Sequence, residues 1–333
     1  MRLNAISIGY AVPRTDFDAE VHSVFRSAVN LRLNNGDKLL TLVTSNEADL
    51  PQGIRVDTPD NFSFEIFRVG EQITCLDNIL RFDSLTIELQ DARRWKCDLP
   101  ALQADLTTPA MSTSWQRAWQ ILNQRQRLLT SEIIAEDLFR SDETIQVGVP
   151  RKAGEAMRGL FAATQQFDLT FASSSLNALI GLGAGLTPSG DDLLVGYLAG
   201  LWCTVLDKSD RLQFVSNLGK TVSHLSHQTN DISRTYLYHA SRGQVSSRLT
   251  NLAKAICHGE NSDRILTTAE SAMQVGHTSG MDAVTGLLTG LIAWSTSLVG
   301  NQCSPLYDVL SPGIKASTVT RSPTCGANPM ERL

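Results

Sequence analysis

The chain has 333 residues, of which 42% are hydrophobic and 19% charged, and its net charge at pH 7 is −5. This composition is typical of a globular protein and argues against disorder, and the length favours two domains over one. An acidic chain without a basic stripe is a poor partner for a phosphate backbone, so nucleic acid is not expected as a ligand.

The six cysteines are scattered without a C-x-x-C pair, which favours free thiols in a reducing compartment. Residues 1–17 contain no continuous apolar run, so we expect no secretory signal. The most apolar stretches, 193–206 and 283–299, are short for a membrane span and are interrupted by glycine, serine and threonine. We therefore expect a cytoplasmic protein that does not bind a membrane.

The first part of the chain has an apolar period near two. Val29, Leu31 and Leu33 alternate before the turn residues 34–37, and Leu40 and Leu42 alternate after them, which predicts a β-hairpin. The same alternation over 62–66 and 85–89 predicts further strands. Residues 1–105 are thus predicted to form an antiparallel β-rich domain, either a small sheet or a partly open barrel.

The period becomes helical after Pro109. Ser114 is predicted to cap a helix in which Trp115, Trp119 and Leu122 share one face. Residues 106–300 are predicted to form a larger, mostly α-helical domain, and the proline-rich residues 301–333 an irregular tail. The predicted fold class is therefore α+β.

One pattern, S-G-x-D-x-x-x-G-x-x-x-G-L, occurs twice in the helical region, beginning at Ser189 and at Ser279. It predicts two similar turn-helix units. Each serine and the aspartate three residues later, Asp192 or Asp282, match the capping-box pattern. The glycines four residues apart predict a close approach between two buried helices. These structural accounts leave the alternating glycines 181, 183 and 185, the second carboxylate Asp191 and His277 unexplained.

Alternating glycines mark a backbone that turns sharply or approaches a ligand, and a helix start offers unpaired amides and a positive dipole end. We therefore predict that the two helix starts bind a small anion. The predicted substrate-binding residues are Gly183, Gly185, Thr187, Ser189, Gly190, Thr278, Ser279 and Gly280. The predicted catalytic residues are His277, Asp191 and Arg234, of which Arg234 can share a helix face with Tyr238.

Magnesium is the one candidate cofactor, because Asp191 and Asp192 offer the hard oxygen ligands that it prefers. The loop is not a P-loop, since Asp191 stands where the phosphate-binding lysine is required. The alternating glycines also match only part of the dinucleotide-binding fingerprint. That fingerprint follows a β-strand, whereas the residues before Gly181 are typical of a helix end.

Three segments together resemble a known family. They are Gly183-x-Gly185-Leu-Thr-Pro-Ser-x-Asp-Asp192, Thr235-Tyr236-Leu237 with Ala240 and Gly243, and Gly276-His277-Thr278-Ser279-Gly280 with Asp282 and Gly286. The family, once catalogued as a prokaryotic domain of unknown function, contains the H subunit of oxamate carbamoyltransferase from anaerobic allantoin catabolism. The hairpin over residues 28–42 resembles it too.

The resemblance implies carbamoyl transfer between oxamate and carbamoyl phosphate, in purine degradation, by an assembly in which this chain is one subunit. The alternative is a non-catalytic scaffold or regulatory subunit, whose motifs serve only capping and packing. Asp191 lies outside the predicted capping pair. The scaffold hypothesis therefore expects Asp191→Ala to change stability by no more than about 0.5 kcal/mol and to leave activity intact. The enzyme hypothesis expects it to abolish activity.

Overall fold

The computed structural model describes residues 1–34, 36, 39–139 and 147–295, which form a β-rich domain followed by a helical domain. The predicted α+β class is therefore confirmed at this level. The predicted tail, residues 301–333, lies outside the described residues.

The first part of the chain forms a closed barrel, the barrel domain. Its strands are β1 (Arg2–Gly9), β2 (Phe17–Val24), β3 (Ala28–Leu33), β4 (Leu39–Val43), β5 (Gly53–Val56), β6 (Gln72–Leu76), β7 (Ile79–Arg81), β8 (Thr86–Glu88) and β9 (Arg93–Trp95). They pair in the order β5-β4-β3-β2-β6-β7-β8-β1, and β1 pairs back to β5, which closes the barrel. The apolar alternation predicted here fills its core, with Val29, Leu31 and Leu42 fully buried.

The predicted hairpin is confirmed, because β3 and β4 pair antiparallel with Leu31 opposite Leu40. The wholly antiparallel arrangement is wrong. Strands β4 and β5 pair parallel, as do β1 with β8 and β1 with β9. Residues 44–52 carry the chain back along the barrel before β5 begins, so β5 runs in the direction of β4 and closes the barrel.

The strand predicted over 62–66 is also wrong. Phe64–Ile66 is a turn of 3₁₀ helix, in which Phe64 is buried and Ile66 is exposed. The buried phenylalanines of this segment are Phe64 and Phe67, three residues apart as one 3₁₀ turn places them, and Phe62 packs partly buried against the barrel core. The rings of Phe62 and Phe64 meet edge to face with centroids 5.1 Å apart, and those of Phe67 and Phe82 stack at 4.2 Å.

The rest of the described chain forms the helical domain. Its helices are α1 (Pro109–Leu128), α2 (Ala135–Leu138), α3 (Val149–Gln165), α4 (Leu169–Leu179), α5 (Ser189–Cys203), α6 (Ser209–Leu225), α7 (Asp231–Ala240), α8 (Ser247–Cys257), α9 (Ser262–Met273) and α10 (Ser279–Ile292). Within the described ranges, none of these helices has the length and continuous apolar character needed to cross a membrane.

Helix α1 buries the predicted apolar face, and the indole rings of Trp115 and Trp119 stack with centroids 5.4 Å apart. The predicted cap at Ser114 is wrong. The helix begins five residues earlier, at Pro109, because proline is preset for the first helical position. Ser114 lies inside the helix, where its hydroxyl donates to the carbonyl of Glu260 at 2.9 Å.

The centre of the helical domain is the crossing of α5 and α10, which run in the same direction in direct backbone contact. A Cβ atom on Gly196 would lie 1.8 Å from the Ala283 carbonyl oxygen. One on Gly286 would lie 2.0 Å from the Leu193 carbonyl oxygen. Only glycine permits this approach, so the repeated glycines set the distance between the two helices.

The barrel and helical domains are joined by buried polar contacts. Ser247, at the start of α8, donates its amide to the Asp49 carbonyl at 2.9 Å, and the Asp49 amide donates to the Ser247 hydroxyl at 2.9 Å. The buried Asp49 carboxylate pairs with Arg55 at 2.9 Å and Arg93 at 3.1 Å. The two hydrogen bonds between Ser247 and Asp49 therefore fix the start of α8 against the barrel.

Replacing Gly196 tests the crossing. We expect Gly196→Ala to lower the free energy of unfolding by about 3 kcal/mol or more, because the new methyl group meets main chain that cannot rotate away. Gly159→Ala on α3 is the matched control. Its methyl group would meet the hydroxyl of Ser175, which can rotate, so we expect little loss or a small gain. Denaturant unfolding measures both, and equal stability of the two variants would contradict the account.

Candidate functional site

The crossing places the starts of α5 and α10 side by side. The Thr187 and Ser279 hydroxyl oxygens lie 2.6 Å apart in a hydrogen bond. We call the two converging segments, 183–192 and 276–282, the paired-helix site. All eight residues predicted to bind substrate belong to these two segments, and Gly190 and Gly280 are the buried second residues of α5 and α10. The structure thus brings the two halves of the repeated motif together.

The glycine-rich segment before α5 turns through backbone conformations that favour glycine. Gly183 has φ 115°, and a Cβ there would lie 2.9 Å from the amide nitrogen of Ser189. Gly185 has φ 92° and open space around its Cβ position. Among the described residues, the amides of Gly183, Gly185 and Thr187 donate to no protein acceptor. The segment therefore presents hydrogen-bond donors beside a helix start.

The predicted capping boxes are wrong. Pro188 and Thr278 are the N-cap residues, neither side chain caps its helix, and Ser189 and Ser279 are the first helical residues. Each serine acts on the other helix instead. The Ser279 hydroxyl faces the Asp192 carboxyl, and the Ser189 hydroxyl faces the Asp282 carboxyl. Sequence spacing alone suggested an intrahelical pair, because it carries no information about which helices cross.

Asp192 and Asp282 are the two carboxyl groups beneath this contact. Burial raises the pKa of Asp282 to about 7, with Ser189 lowering it and the charge of Glu132 adding to the rise. Burial also raises the pKa of Asp192 well above its usual range, and the Asp282 charge adds to that rise. The Oδ2 atom of each carboxyl is buried without a hydrogen-bond partner among the described residues. Two hydroxyl groups approach each carboxyl, those of Ser279 and Thr187 at Asp192 and those of Ser189 and Thr278 at Asp282, so Oδ2 is the carboxyl atom left for a ligand.

Asp191, predicted to be catalytic, is tied to the surrounding chain. Its carboxylate accepts a hydrogen bond from the Gly181 amide at 2.8 Å and another from the Thr229 hydroxyl at 2.6 Å. Burial raises its pKa, although both hydrogen bonds lower it. Asp191 thus anchors the glycine-rich segment on one side and the approach to α7 on the other.

His277 and Arg234 occupy different places. His277 is exposed at the edge of the paired-helix site, next to Thr278. Arg234 lies on α7, and its guanidinium bonds Asp231 at 3.3 Å. It lines, together with Tyr238, a cavity of about 510 Å³ whose opposite wall comes from the barrel. No glycine-segment residue lines this cavity, so the structure does not bring Arg234 to His277 there.

Two further residues of the site were not predicted as functional. Asp282 was assigned to capping alone, although its place in the repeated pattern, equivalent to Asp192, was a usable signal. Tyr236 lies close enough to Asp192 for that carboxylate to help raise the tyrosine pKa to about 12, with burial as the main cause. Only the fold of α7 against α5 reveals this contact.

The structure gives the magnesium hypothesis no added support. No group of three or more histidine, cysteine, aspartate or glutamate side chains that could hold a metal ion occurs in the described part of the chain. Both Asp191 oxygens are already hydrogen-bonded. The hypothesis rests on the adjacent acids Asp191 and Asp192 alone.

Comparison with known proteins gives two matches to family models. A model described as oxamate carbamoyltransferase subunit AllH matches residues 179–291, which contain the whole paired-helix site. A model described as the AllH family N-terminal domain matches residues 4–94, which contain the barrel. The two matches together cover most of the chain. A search of solved structures finds no match.

Stability should fall with rising pH because of the buried acids. The unfolded Asp282 ionises near pH 4, whereas the folded residue keeps its proton to about pH 7. The folded chain binds more protons in this window, so this group's contribution to the free energy of unfolding decreases as the pH rises, by at most about 4 kcal/mol. We expect Asp282→Asn, neutral at every pH, to make the slope shallower in denaturant unfolding. The exposed control Asp263→Asn should keep the wild-type slope, and an unchanged slope in Asp282→Asn would be inconsistent with the assignment.

Asp191→Ala should destabilise the chain, contrary to the expectation from sequence. The change leaves the Gly181 amide and the Thr229 hydroxyl without their acceptor, so we expect a loss of about 2–3 kcal/mol in the free energy of unfolding. Thermal or denaturant unfolding measures it. A change within about 0.5 kcal/mol would show that these hydrogen bonds do not anchor the glycine-rich segment.

Proposed function

We propose, because the chain belongs to the oxamate carbamoyltransferase subunit AllH family, that its paired-helix site binds the carbamoyl group during transfer. One observation carries the proposal: among the described residues, Asp192 and Asp282 each keep a buried carboxyl oxygen without a hydrogen-bond partner, and the glycine-rich segment of the same site holds amides that donate to no protein acceptor. A carbamoyl group has an NH₂ that donates hydrogen bonds and a carbonyl that accepts them. The site offers the complementary set.

The anionic end of the substrate belongs at the glycine-rich segment. In carbamoyl phosphate this end is the phosphate. The free amides of Gly183, Gly185 and Thr187 and the start of α5 supply donors and a positive dipole end for it. The exposed His277 lies at the edge of the same site and would neutralise charge on the departing phosphate.

The transfer step needs one proton acceptor. The oxamate nitrogen attacks the carbamoyl carbon, the new C–N bond forms, the C–O bond to phosphate breaks, and phosphate leaves. The proton released from the nitrogen passes to Asp282, whose pKa of about 7 suits proton transfer at neutral pH. Burial also raises the pKa of Asp192, and in this proposal Asp192 stays protonated and donates a hydrogen bond.

A scaffold role is the second candidate, and three observations favour it. The glycine crossing, the exchanged serine and aspartate contacts and the Asp191 anchor explain much of the repeated motif by packing alone. In this case the chain would hold partner subunits without touching substrate. Packing leaves unexplained that the Oδ2 atoms of Asp192 and Asp282 are buried without a partner in the part of the chain that the structure describes.

Asp282→Asn separates the two candidates. We expect carbamoyltransferase activity of the assembled complex to fall at least about hundredfold, because the amide cannot accept the proton. The melting temperature and subunit assembly should persist, since asparagine has the shape of the protonated acid. The control Asp263→Asn, exposed on α9, should keep full activity.

Calorimetry with carbamoyl phosphate, oxamate and phosphate tests binding directly. Binding to the chain, alone or with its partner subunits, is expected to weaken at least about tenfold in Asp282→Asn. Unchanged activity in the assembled Asp282→Asn complex would favour the scaffold. If none of the three compounds binds to the chain, either alone or with its partner subunits, the paired-helix site does not bind substrate.

A further inference from the structure

A second site is built between the two domains, in the cavity of about 510 Å³ that Arg234 lines. We call it the interdomain cavity. Its barrel wall includes Tyr10, Leu33, Leu39 and Gln52, and its helical wall includes Arg234 and Tyr238. Its volume lies in the range of about 300–1,000 Å³ typical of small-molecule sites, which often form where domains meet.

Polar groups in its wall lack partners. Gln52 is only 2% exposed, and its carboxamide oxygen has no hydrogen-bond partner among the described residues. The Nε of Arg234 is likewise buried and unpaired in that part of the chain. Leaving such groups unsatisfied costs free energy. Both side chains line the cavity, and a side-chain rotation would turn the unpaired acceptor and the unpaired donor toward a ligand there.

The charge around Arg234 favours an anion. Asp231 is the carboxylate that it contacts, at 3.3 Å, and the same carboxylate binds Arg32 of the barrel at 2.5 Å. Two guanidinium groups thus share the Asp231 carboxylate, which also lies 3.4 Å from His22, so this one acid does not neutralise both arginines. Tyr238, four residues along α7, adds a phenol to the same wall.

We propose that the interdomain cavity binds a small organic carboxylate that carries an amide N–H and an aliphatic body, such as an N-acyl amino acid. The carboxylate accepts from Arg234, the N–H donates to the Gln52 oxygen, and the aliphatic body packs against Leu33 and Leu39. A ligand seated here contacts both domains and fixes one on the other. The inference does not rest on the proposed carbamoyl site, which none of these residues lines.

N-acetyl-L-leucine is the probe, with N-acetyl-L-leucinamide as its matched uncharged analogue, titrated calorimetrically into the full chain. We expect saturable binding of the carboxylate probe and at least about tenfold weaker binding of the amide. Gln52→Leu and Arg234→Met should each weaken the carboxylate probe about tenfold. Gln52→Leu removes an unpaired buried polar group, so this variant should fold at least as stably as the wild type. If Arg234→Met does not fold, Gln52→Leu alone still tests the proposal.

Two controls locate the binding. Gln244 also buries an unpaired carboxamide oxygen but does not line the cavity, so Gln244→Leu should bind the probe like the wild type. Asp282→Asn should do the same, which separates this site from the carbamoyl site. Failure of the wild type to bind N-acetyl-L-leucine overturns the proposal. Equal weakening by Gln52→Leu and by either control variant overturns it as well.

Discussion

The backbone contact between α5 and α10 is the constraint on which the rest of the helical domain depends. Four glycines, 196, 200, 286 and 290, face main-chain atoms of the opposite helix, so neither helix can move outward or rotate without losing the fit. The contact has a chemical consequence. The contacting glycines stand at equivalent positions of the two helices, so the two starts lie together, and the fourth residue of each helix is an aspartate.

Burial at the crossing then raises the pKa of the two aspartates, and each aspartate faces a serine of the opposite helix. Water is excluded by the crossing, so both carboxyl groups hold their protons to higher pH than an exposed aspartate. The serines that would cap their own helices face the opposite carboxyl instead. The glycine contact between α5 and α10 therefore produces a polar site beside an exposed loop. Among the described residues, the carboxyl Oδ2 atoms and the glycine-segment amides of this site have no hydrogen-bond partner.

The sequence predicted what is local and periodic. The β3–β4 hairpin, the buried face of α1 and the helical glycines follow from patterns within about twenty residues. Barrel closure, the parallel strand pairs and the exchange of serine partners depend on which distant segments meet. Asp191 illustrates the limit. Its neighbours in sequence suggested a free catalytic carboxylate, whereas Gly181 and Thr229, brought to it by folding, occupy both of its oxygens.

A crystal structure of the chain with its partner subunits and carbamoyl phosphate tests the central claim most directly, because it locates the carbamoyl group. The account predicts the carbamoyl nitrogen within hydrogen-bond distance of Asp282 Oδ2, with the phosphate against the amides of Gly183, Gly185 and Thr187. Carbamoyl phosphate bound wholly by a partner subunit, with the paired-helix site of this chain empty, would contradict it.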